Sequence, residues 1–476
     1  MKLYLKGKIM QKNFSNHSPA TGNKICEIEI TSPEALQEVI IKAHSAFEIW
    51  AKMSGFERGK ILSKAARIIR ERCFEIAQLE VLDSGKPISE ALEVDIPSSA
   101  DALEYYGGLA PSIHGDHIQL GRSFAYTKRE PIGICAGIGA WNYPFQIAAW
   151  KSAPALASGN VMIFKPSELT PMTAVKLEQI YLEAGMPAGV FQIVQGGRDV
   201  GEMLSLHPEI RKISLTGSIP TGKRIVENSA KNLKQVSLEL GGKSPLIIFD
   251  DFDIDKATSI AILANFYTQG EICCNGTRVF VHKKIKERFL ENLIQKVTKI
   301  KIGDPFDSTT QMGSLISKQH LNRVLDYIES GKAEGATLLC GGAQPDWSPS
   351  QVKFANGNFI LPTVFSNCHD EMRIVKEEIF GPVMSVLDFE SEDEVIRRAN
   401  STEYGLAAGV LTNNLKRAHR VIDQIQAGMC WINNYNLSPI EIPFGGVKGS
   451  GFGRENGLAA IECYTQLKTV YVEMGE

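Results

Sequence analysis

No stretch of about 18 apolar residues occurs in this chain of 476 residues, so a membrane-spanning helix is not expected. An excess of charge is missing too. The 51 Lys and Arg nearly balance the 54 Asp and Glu, leaving a formal charge of -3, and a nucleic-acid partner would need a basic face. Cysteine is sparse and odd in number, 9 in all, and no CxxC pair is present. Neither a structural zinc nor a disulfide framework is indicated, and reduced thiols in a cytoplasm fit best. The opening MKLYLKGKIMQKNFSN carries no long apolar core, so a secretory leader is not expected. Low-complexity tracts, repeats and long linkers are also lacking, as is the GxGxxG dinucleotide fingerprint.

What is present is an ordinary globular composition, 43% hydrophobic and 22% charged, on a chain long enough for two to four domains. Between Ser32 and Glu80, apolar residues such as Ile61, Leu62, Ala65, Ile68 and Ile69 recur at helical spacing. From Ile132 to Phe249 short apolar runs alternate with helical segments. Strands are expected at 132–138, 161–164, 190–194, 213–215, 236–240 and 246–249, with helices at 171–184 and 221–229. That alternation predicts an α/β fold with a parallel sheet, and a second α/β pattern follows from Phe252. Residues 465–472 alternate polar and apolar, as an edge strand does, whether or not it pairs with another subunit.

Five segments carry chemistry. Gln269-Gly270-Glu271-Ile272-Cys273-Cys274-Asn275-Gly276-Thr277-Arg278 presents a thiol on a Gly-flanked loop between a helical run and a strand. A thiolate there is a nucleophile for a carbonyl carbon, although most cysteines are simply packed. Leu238-Glu239-Leu240-Gly241-Gly242 places a carboxylate, a potential base, at a strand end. Gly217-Ser218-Ile219-Pro220-Thr221 follows a strand and opens a helix, where backbone N–H groups hold a pyrophosphate; a helix cap by Ser218 or Thr221 explains the pattern equally well. Lys165-Pro166-Ser167-Glu168 also ends a strand, where α/β sheets bind ligands. Lys165 and Glu168 suit a ribose diol, and the carboxylate would repel a 2′-phosphate, favouring NAD over NADP. In Gly139-Ala140-Trp141-Asn142-Tyr143-Pro144, the Asn142 amide suits an oxyanion, or marks only a turn.

Taken in order, GAWNYP, FKPSE, LTGS, LELGGKSP, GEICCNGTR, EEIFGPV and PFGGVKGSGFGRENG resemble the aldehyde dehydrogenase superfamily over essentially the whole chain. VLDSGKP, ALEYYGG and CCNGTRVFV are similar to its betaine aldehyde and aminoaldehyde branch. The resemblance implies a Rossmann-like NAD-binding domain (1–112 and 132–241), an α/β catalytic domain (242–449) and a small β oligomerisation element (113–131 and 465–476), in a homotetramer or homodimer. It implies Cys273 as nucleophile, Asn142 with the Cys273 N–H as oxyanion hole, Glu239 as general base, and Lys151 with Glu455 as a proton relay. Gly139, Ala140, Trp141, Lys165, Pro166, Ser167, Glu168, Gly217, Ser218, Ile219, Pro220, Thr221, Gly241, Glu378 and Phe380 would meet NAD, with NADP as the other cofactor.

The chemistry implied is oxidation of an aldehyde to an acid through a thiohemiacetal and a thioester on Cys273. Tyr143, Trp150, Tyr267 and Phe444 resemble the aromatic box that holds the trimethylammonium group of betaine aldehyde, with Glu441 at the entrance; aromatic core packing is the ordinary alternative. The same box would take 4-aminobutyraldehyde. Potassium is implied at Asn16, His17 and Asp83, and at Lys448 and Gly451, all of which also read as turn residues. One departure stands out: the family usually has Gln at the position of Glu271. A carboxylate facing Cys273 would weaken the nucleophile, so Glu271 is expected to point away. A CoA-acylating enzyme is disfavoured by Glu239. A silent structural protein on this scaffold is disfavoured by the presence of nucleophile, base and oxyanion Asn together.

Overall fold

The computed structural model describes residues 12–475; the proposed leaderless start, residues 1–11 of the first expected domain, and residue 476 of the last element lie outside them. Five parallel strands, Ile134–Ile138, Val161–Lys165, Phe191–Ile193, Ile210–Thr216 and Gln235–Glu239, run 3-2-1-4-5 across one sheet. This order reverses direction at Ile134–Ile138, and the crevice at such a reversal is where open α/β sheets bind ligands. Gly451–Phe452 closes the sheet antiparallel to Gln235–Glu239, with Gly451 opposite Glu239. The expected strands are all present with ends displaced by up to three residues, except that Pro245–Ile248 enters the other sheet.

That second sheet has seven strands, ordered Thr337–Cys340, Thr363–Ser366, Val383–Phe389, Arg278–His282, Pro245–Ile248, Ala407–Leu411 and Met429–Ile432, parallel except at the first pair. Its central strands are buried on both faces, as parallel strands are. The helical N-terminal region forms Pro33–Trp50, Gly55–Glu71 and Cys73–Ser84. Ser54 and Glu57 start the second helix with a reciprocal capping box.

Thr465–Val472 pairs along its whole length with Ser123–Pro131 of the same chain, and His117–Leu120 completes this three-stranded sheet. The outer edge of Thr465–Val472 has no neighbour among the described residues. The segment just before it returns to the first core: Ile440, Ala460, Ile461 and Tyr464 pack with the helices and strands of residues 36–240.

Candidate active site

The ends of the six-stranded sheet supply three groups. Strand Gln235–Glu239 ends on Glu239, strand Ile210–Thr216 ends on Thr216, and the turn after Ile134–Ile138 carries Trp141 and Asn142 into helix Pro144–Ala157. Tyr143 is the residue before that helix, not within it, and Trp150 lies two turns on. The other sheet supplies the thiol. Helix Ile254–Phe266 stops at Tyr267, and the chain then turns through a left-handed run: Thr268 at φ 48°, Gln269 at φ 52° and Gly270 at φ +74°. Such torsions cost about 1–2 kcal/mol per non-Gly residue and persist only where the surroundings impose them. Glu90 imposes the first, accepting hydrogen bonds from Thr268 N at 3.0 Å and Thr268 Oγ1 at 2.8 Å. Gly270 cannot be replaced without movement, because a Cβ there would lie 2.4 Å from the Gly381 backbone. The run ends by presenting Cys273.

Cys273, Asn142, Glu239 and Thr216 line two cavities at once. The first, about 360 Å³, opens over the strand ends between Trp141 and Phe380 on one side and Gly217–Ser218 on the other. The rings of Trp141 and Phe380 meet edge to face at 5.1 Å, with Phe380 held at φ 61°. Glu378 reaches across to accept from Gly242 N at 3.0 Å, and a Cβ on Gly241 would fall 2.1 Å from its Oε2. Burial lifts Glu378 to about 7. Helix Ile219–Ala230 starts at this cavity with no side-chain cap on its backbone: the Ser218 hydroxyl meets Thr221 Oγ1 at 3.0 Å instead. Its first N–H groups therefore remain available to an anion. Of the residues expected to meet NAD, Gly139, Lys165, Pro166, Ser167, Glu168, Ile219, Pro220 and Thr221 do not line the cavity, whereas Leu169, next to the FKPSE turn, does. The buried Lys165 ammonium donates to Pro166 O and Gly196 O, 3.9 Å from Glu168.

The second cavity, about 500 Å³, is lined by Tyr143, Trp150, Tyr267 and Phe444. Trp150 and Phe444 meet at 5.8 Å, and the Trp150 indole N–H is taken by Ser98 Oγ at 3.1 Å. Glu441 is exposed and is not among the lining residues: the chain turns it outward beside Tyr105. Carboxylates near the mouth come from Glu93 and Asp101 instead.

Around the thiol, Asn142 Nδ2 donates one N–H to Glu271 O at 2.9 Å, which fixes the amide and leaves its second N–H. Glu239 is buried with neither carboxylate oxygen partnered. Burial and the nearby Glu455 push its pKa well up, Lys151 opposes this, and Cys273 adds to it. Lys151 donates to Glu455 Oε1 at 2.6 Å, and Ser214 donates to the same oxygen at 2.9 Å. Cys273 is raised by its hydrogen bond with Cys274 and by enclosure, with Glu378 adding to it. Glu271 turns away from it: its Oε1 accepts from Ile316 N at 3.0 Å and its Oε2 from Gln269 at 3.3 Å.

The sequence model of the aldehyde dehydrogenase family matches residues 5–470. The chain is 56% identical over 461 residues to a 4-trimethylaminobutyraldehyde dehydrogenase of Danio rerio, covering 97% of this chain and 90% of that protein. It is equally 56% identical over 458 residues to a betaine aldehyde dehydrogenase of Brucella anthropi, covering 96% and 93%. The solved NAD+ complex of an aldehyde dehydrogenase from Bacillus cereus superposes with a TM-score of 0.94 at 42% identity, over 98% of this chain and 94% of that one. The chain belongs to the aldehyde dehydrogenase family.

Family motifs account for the residues that meet at Cys273, but not for several others on the cavity walls. His320 and Arg323 line the first cavity, and Glu93, Val94 and Asp101 the second. Glu93 and Val94 sit on a π-helical turn, Ala91–Asp95, a local widening common at functional sites that leaves no trace in residue type. Among the residues expected to hold potassium, Asn16 and Asp83 are in contact. Asn16 donates to Asp83 Oδ1 at 2.5 Å, Met172 N donates to Asp83 Oδ2, and His17 is exposed past a bulge. Lys448 donates to Asn400 O, and Gly451 pairs with Glu239.

Proposed function

We propose that this chain oxidises a quaternary-ammonium aldehyde with NAD, betaine aldehyde to glycine betaine being the leading reaction. The observation that carries this is the position of Cys273 where a strand-end cavity meets an aromatic cavity, with Asn142 and Glu239 beside it. The first cavity suits a dinucleotide: the Gly217–Ser218 turn at the helix start for the pyrophosphate, Glu378 for a ribose and the Trp141–Phe380 wall for a flat ring. NAD, when bound there, supplies the hydride acceptor. Glu168 at the neighbouring turn favours NAD over NADP, since a carboxylate repels a 2′-phosphate.

Cys273 Sγ forms a bond to the aldehyde carbon as its proton passes to water in the cavity. The free Asn142 N–H and the Cys273 N–H hold the developing oxyanion, each such donor contributing about 3–4 kcal/mol. Once the thiohemiacetal has been oxidised to a thioester, Glu239 takes a proton from water and the resulting hydroxide releases the acid. The Glu239 carboxylate is free for this because nothing else bonds its oxygens, and the Glu455–Lys151 pair beside it receives the proton. In the aromatic cavity the cation–π attraction of Trp150, Tyr143, Tyr267 and Phe444 holds the trimethylammonium end.

A second substrate, 4-trimethylaminobutyraldehyde, is favoured by the 500 Å³ of that cavity and by the relatives that carry its name. Assembly into a homodimer or homotetramer is supported by the outer edge of Thr465–Val472, unpaired among the described residues, where Leu467 and Tyr471 are exposed. The three-unit division into cofactor domain, catalytic domain and oligomerisation element is supported by the three larger sheets.

NADH formation with betaine aldehyde, 4-trimethylaminobutyraldehyde, 4-aminobutyraldehyde and hexanal tests the reading. A kcat/KM at least about tenfold higher for the trimethylammonium aldehydes than for hexanal, about 1.4 kcal/mol of preference, is expected. Preference for 4-aminobutyraldehyde would move the reaction to primary aminoaldehydes, and preference for hexanal would refute a cation site.

A further inference from the structure

Behind the aromatic wall of the second cavity lies a buried charged cluster that the reaction above does not use. Lys86 holds its ammonium 3.8 Å from the centroid of the Tyr143 ring and is paired with Asp95. Glu80 and Glu90 complete the cluster, and none of the four is more than 4% exposed. Hydrogen bonds tie the cluster to the wall. Tyr143 OH meets Thr268 Oγ1 at 2.9 Å, and Thr268 donates that hydroxyl and its backbone N–H to Glu90. Glu80 Oε1 accepts from Phe145 N at 3.4 Å, two residues along from Tyr143, while its Oε2 has no partner.

Three carboxyl groups surround one ammonium. Lys86 and an ionised Asp95 cancel, so each further ionisation, at Glu90 or Glu80, adds net negative charge directly behind Tyr143. Tyr267 feels the same field: Glu90, Asp95 and Glu93 all raise it, after burial. Burial holds Glu80 up at about 8 and Glu90 at about 7, with Lys86 opposing both. Glu271 senses Lys86, and across the cavity stand Glu239, Glu455, Lys151, Cys273 and Cys274. A carboxylate within the wall acts through a low dielectric and is little screened, unlike Glu93 and Asp101 at the mouth.

We infer that Glu90, Glu80 and Asp95 around Lys86 set the substrate specificity of the cavity, drawing a cationic aldehyde tail to the Tyr143–Tyr267 wall by the negative charge they hold behind it. The inference rests on reading that cavity as a cation site. These are specificity-determining groups that touch neither the thiol nor the cofactor. Their charge falls away as pH drops, because protonation of Glu90 and Glu80 leaves only the neutral Lys86–Asp95 pair.

The test is the ratio of kcat/KM for betaine aldehyde to that for hexanal, measured from about pH 6 to about pH 8.5. Taking a ratio cancels the titration of Cys273 and Glu239 in catalysis, and neither substrate titrates in this range. The wild-type ratio should rise about fivefold to tenfold with pH and keep that rise in high salt, as expected for a charge buried several ångströms away. Glu90→Gln keeps an acceptor for Thr268 N and a polar partner for its hydroxyl, and should flatten the rise in the ratio, which cancels any loss of turnover common to both substrates from a shift of the Thr268–Cys273 run. Glu80→Gln should flatten it in part. A ratio that is high but independent of pH would overturn the inference while leaving the proposed reaction standing. So would a rise that both variants retain, which would trace it to Glu239 across the cavity, or one that salt abolishes, which would place its source in solvent rather than in the buried cluster. A ratio near one at every pH would remove the cation site itself.

Discussion

The two cavities that meet at Cys273 are built by different means. The cofactor-side cavity is made largely by backbone: strand ends, an uncapped helix start, a Gly pair at 241–242 closed against Glu378, and Phe380 at positive φ. The aromatic cavity is made by side chains from segments far apart in the chain, Glu93 to Phe444, on helices and loops. A backbone-built site tolerates little change, because its geometry is set by torsions and close approaches. A side-chain-built site can be retuned one residue at a time without disturbing the chemistry next to it.

The largest effect should come from the residue the cavities share. Cys273→Ser should lose dehydrogenase turnover by at least about a thousandfold, since an alcohol is a far weaker nucleophile than a thiolate, with the fold unchanged by circular dichroism. Next comes a test of the backbone-built side. Gly241→Ala puts a methyl 2.1 Å from Glu378 Oε2 and should cut kcat/KM for NAD about tenfold to a hundredfold through misplacement. If the variant behaved as wild type, the claim of a tight backbone site would fail.

On the side-chain-built side, Trp150→Ala should raise KM for betaine aldehyde about tenfold, the scale of one desolvated cation–π contact, while leaving KM for NAD unchanged. Equal losses for both substrates would erase the distinction between the cavities. Asp101→Asn or Glu93→Gln should cost only about twofold to threefold, and only at low salt, because these carboxylates are exposed.

The pH dependence probes the shared wall. Glu239 is raised by burial and Glu455 and lowered by Lys151, so the base form is lost as pH falls and hydrolysis of the thioester should quicken with rising pH. Lys151→Met removes the opposing cation and should move that acidic limb to higher pH in a pre-steady-state deacylation assay. A shift the other way would contradict the assigned coupling.

The sequence disclosed these two regions unequally, for the same physical reason. Cys273, Glu239, Asn142 and Gly241 stand in contiguous motifs because backbone sites need particular residues at fixed offsets. The alternating strands likewise announced the parallel sheet, with Pro245–Ile248 alone assigned to a neighbouring sheet only by the fold. The left-handed Thr268 and Gln269 could not be read from residue type, since nothing in a Thr-Gln pair announces positive φ; tertiary contacts with Glu90 impose it. Glu441 was expected at the entrance and lies outside the lining, whereas Glu93 reaches it from a π-helical turn. Residues of that kind converge only when distant helices pack, and no local pattern encodes the convergence.

The most direct measurement of the central claim is a single-turnover experiment on Glu239→Gln with NAD and betaine aldehyde, followed by peptide mass spectrometry. The account predicts one NADH per chain in a burst, then an acyl thioester persisting on the peptide that carries Cys273, because the base that would hydrolyse it is gone. No burst, or an acyl group on another cysteine, would contradict it.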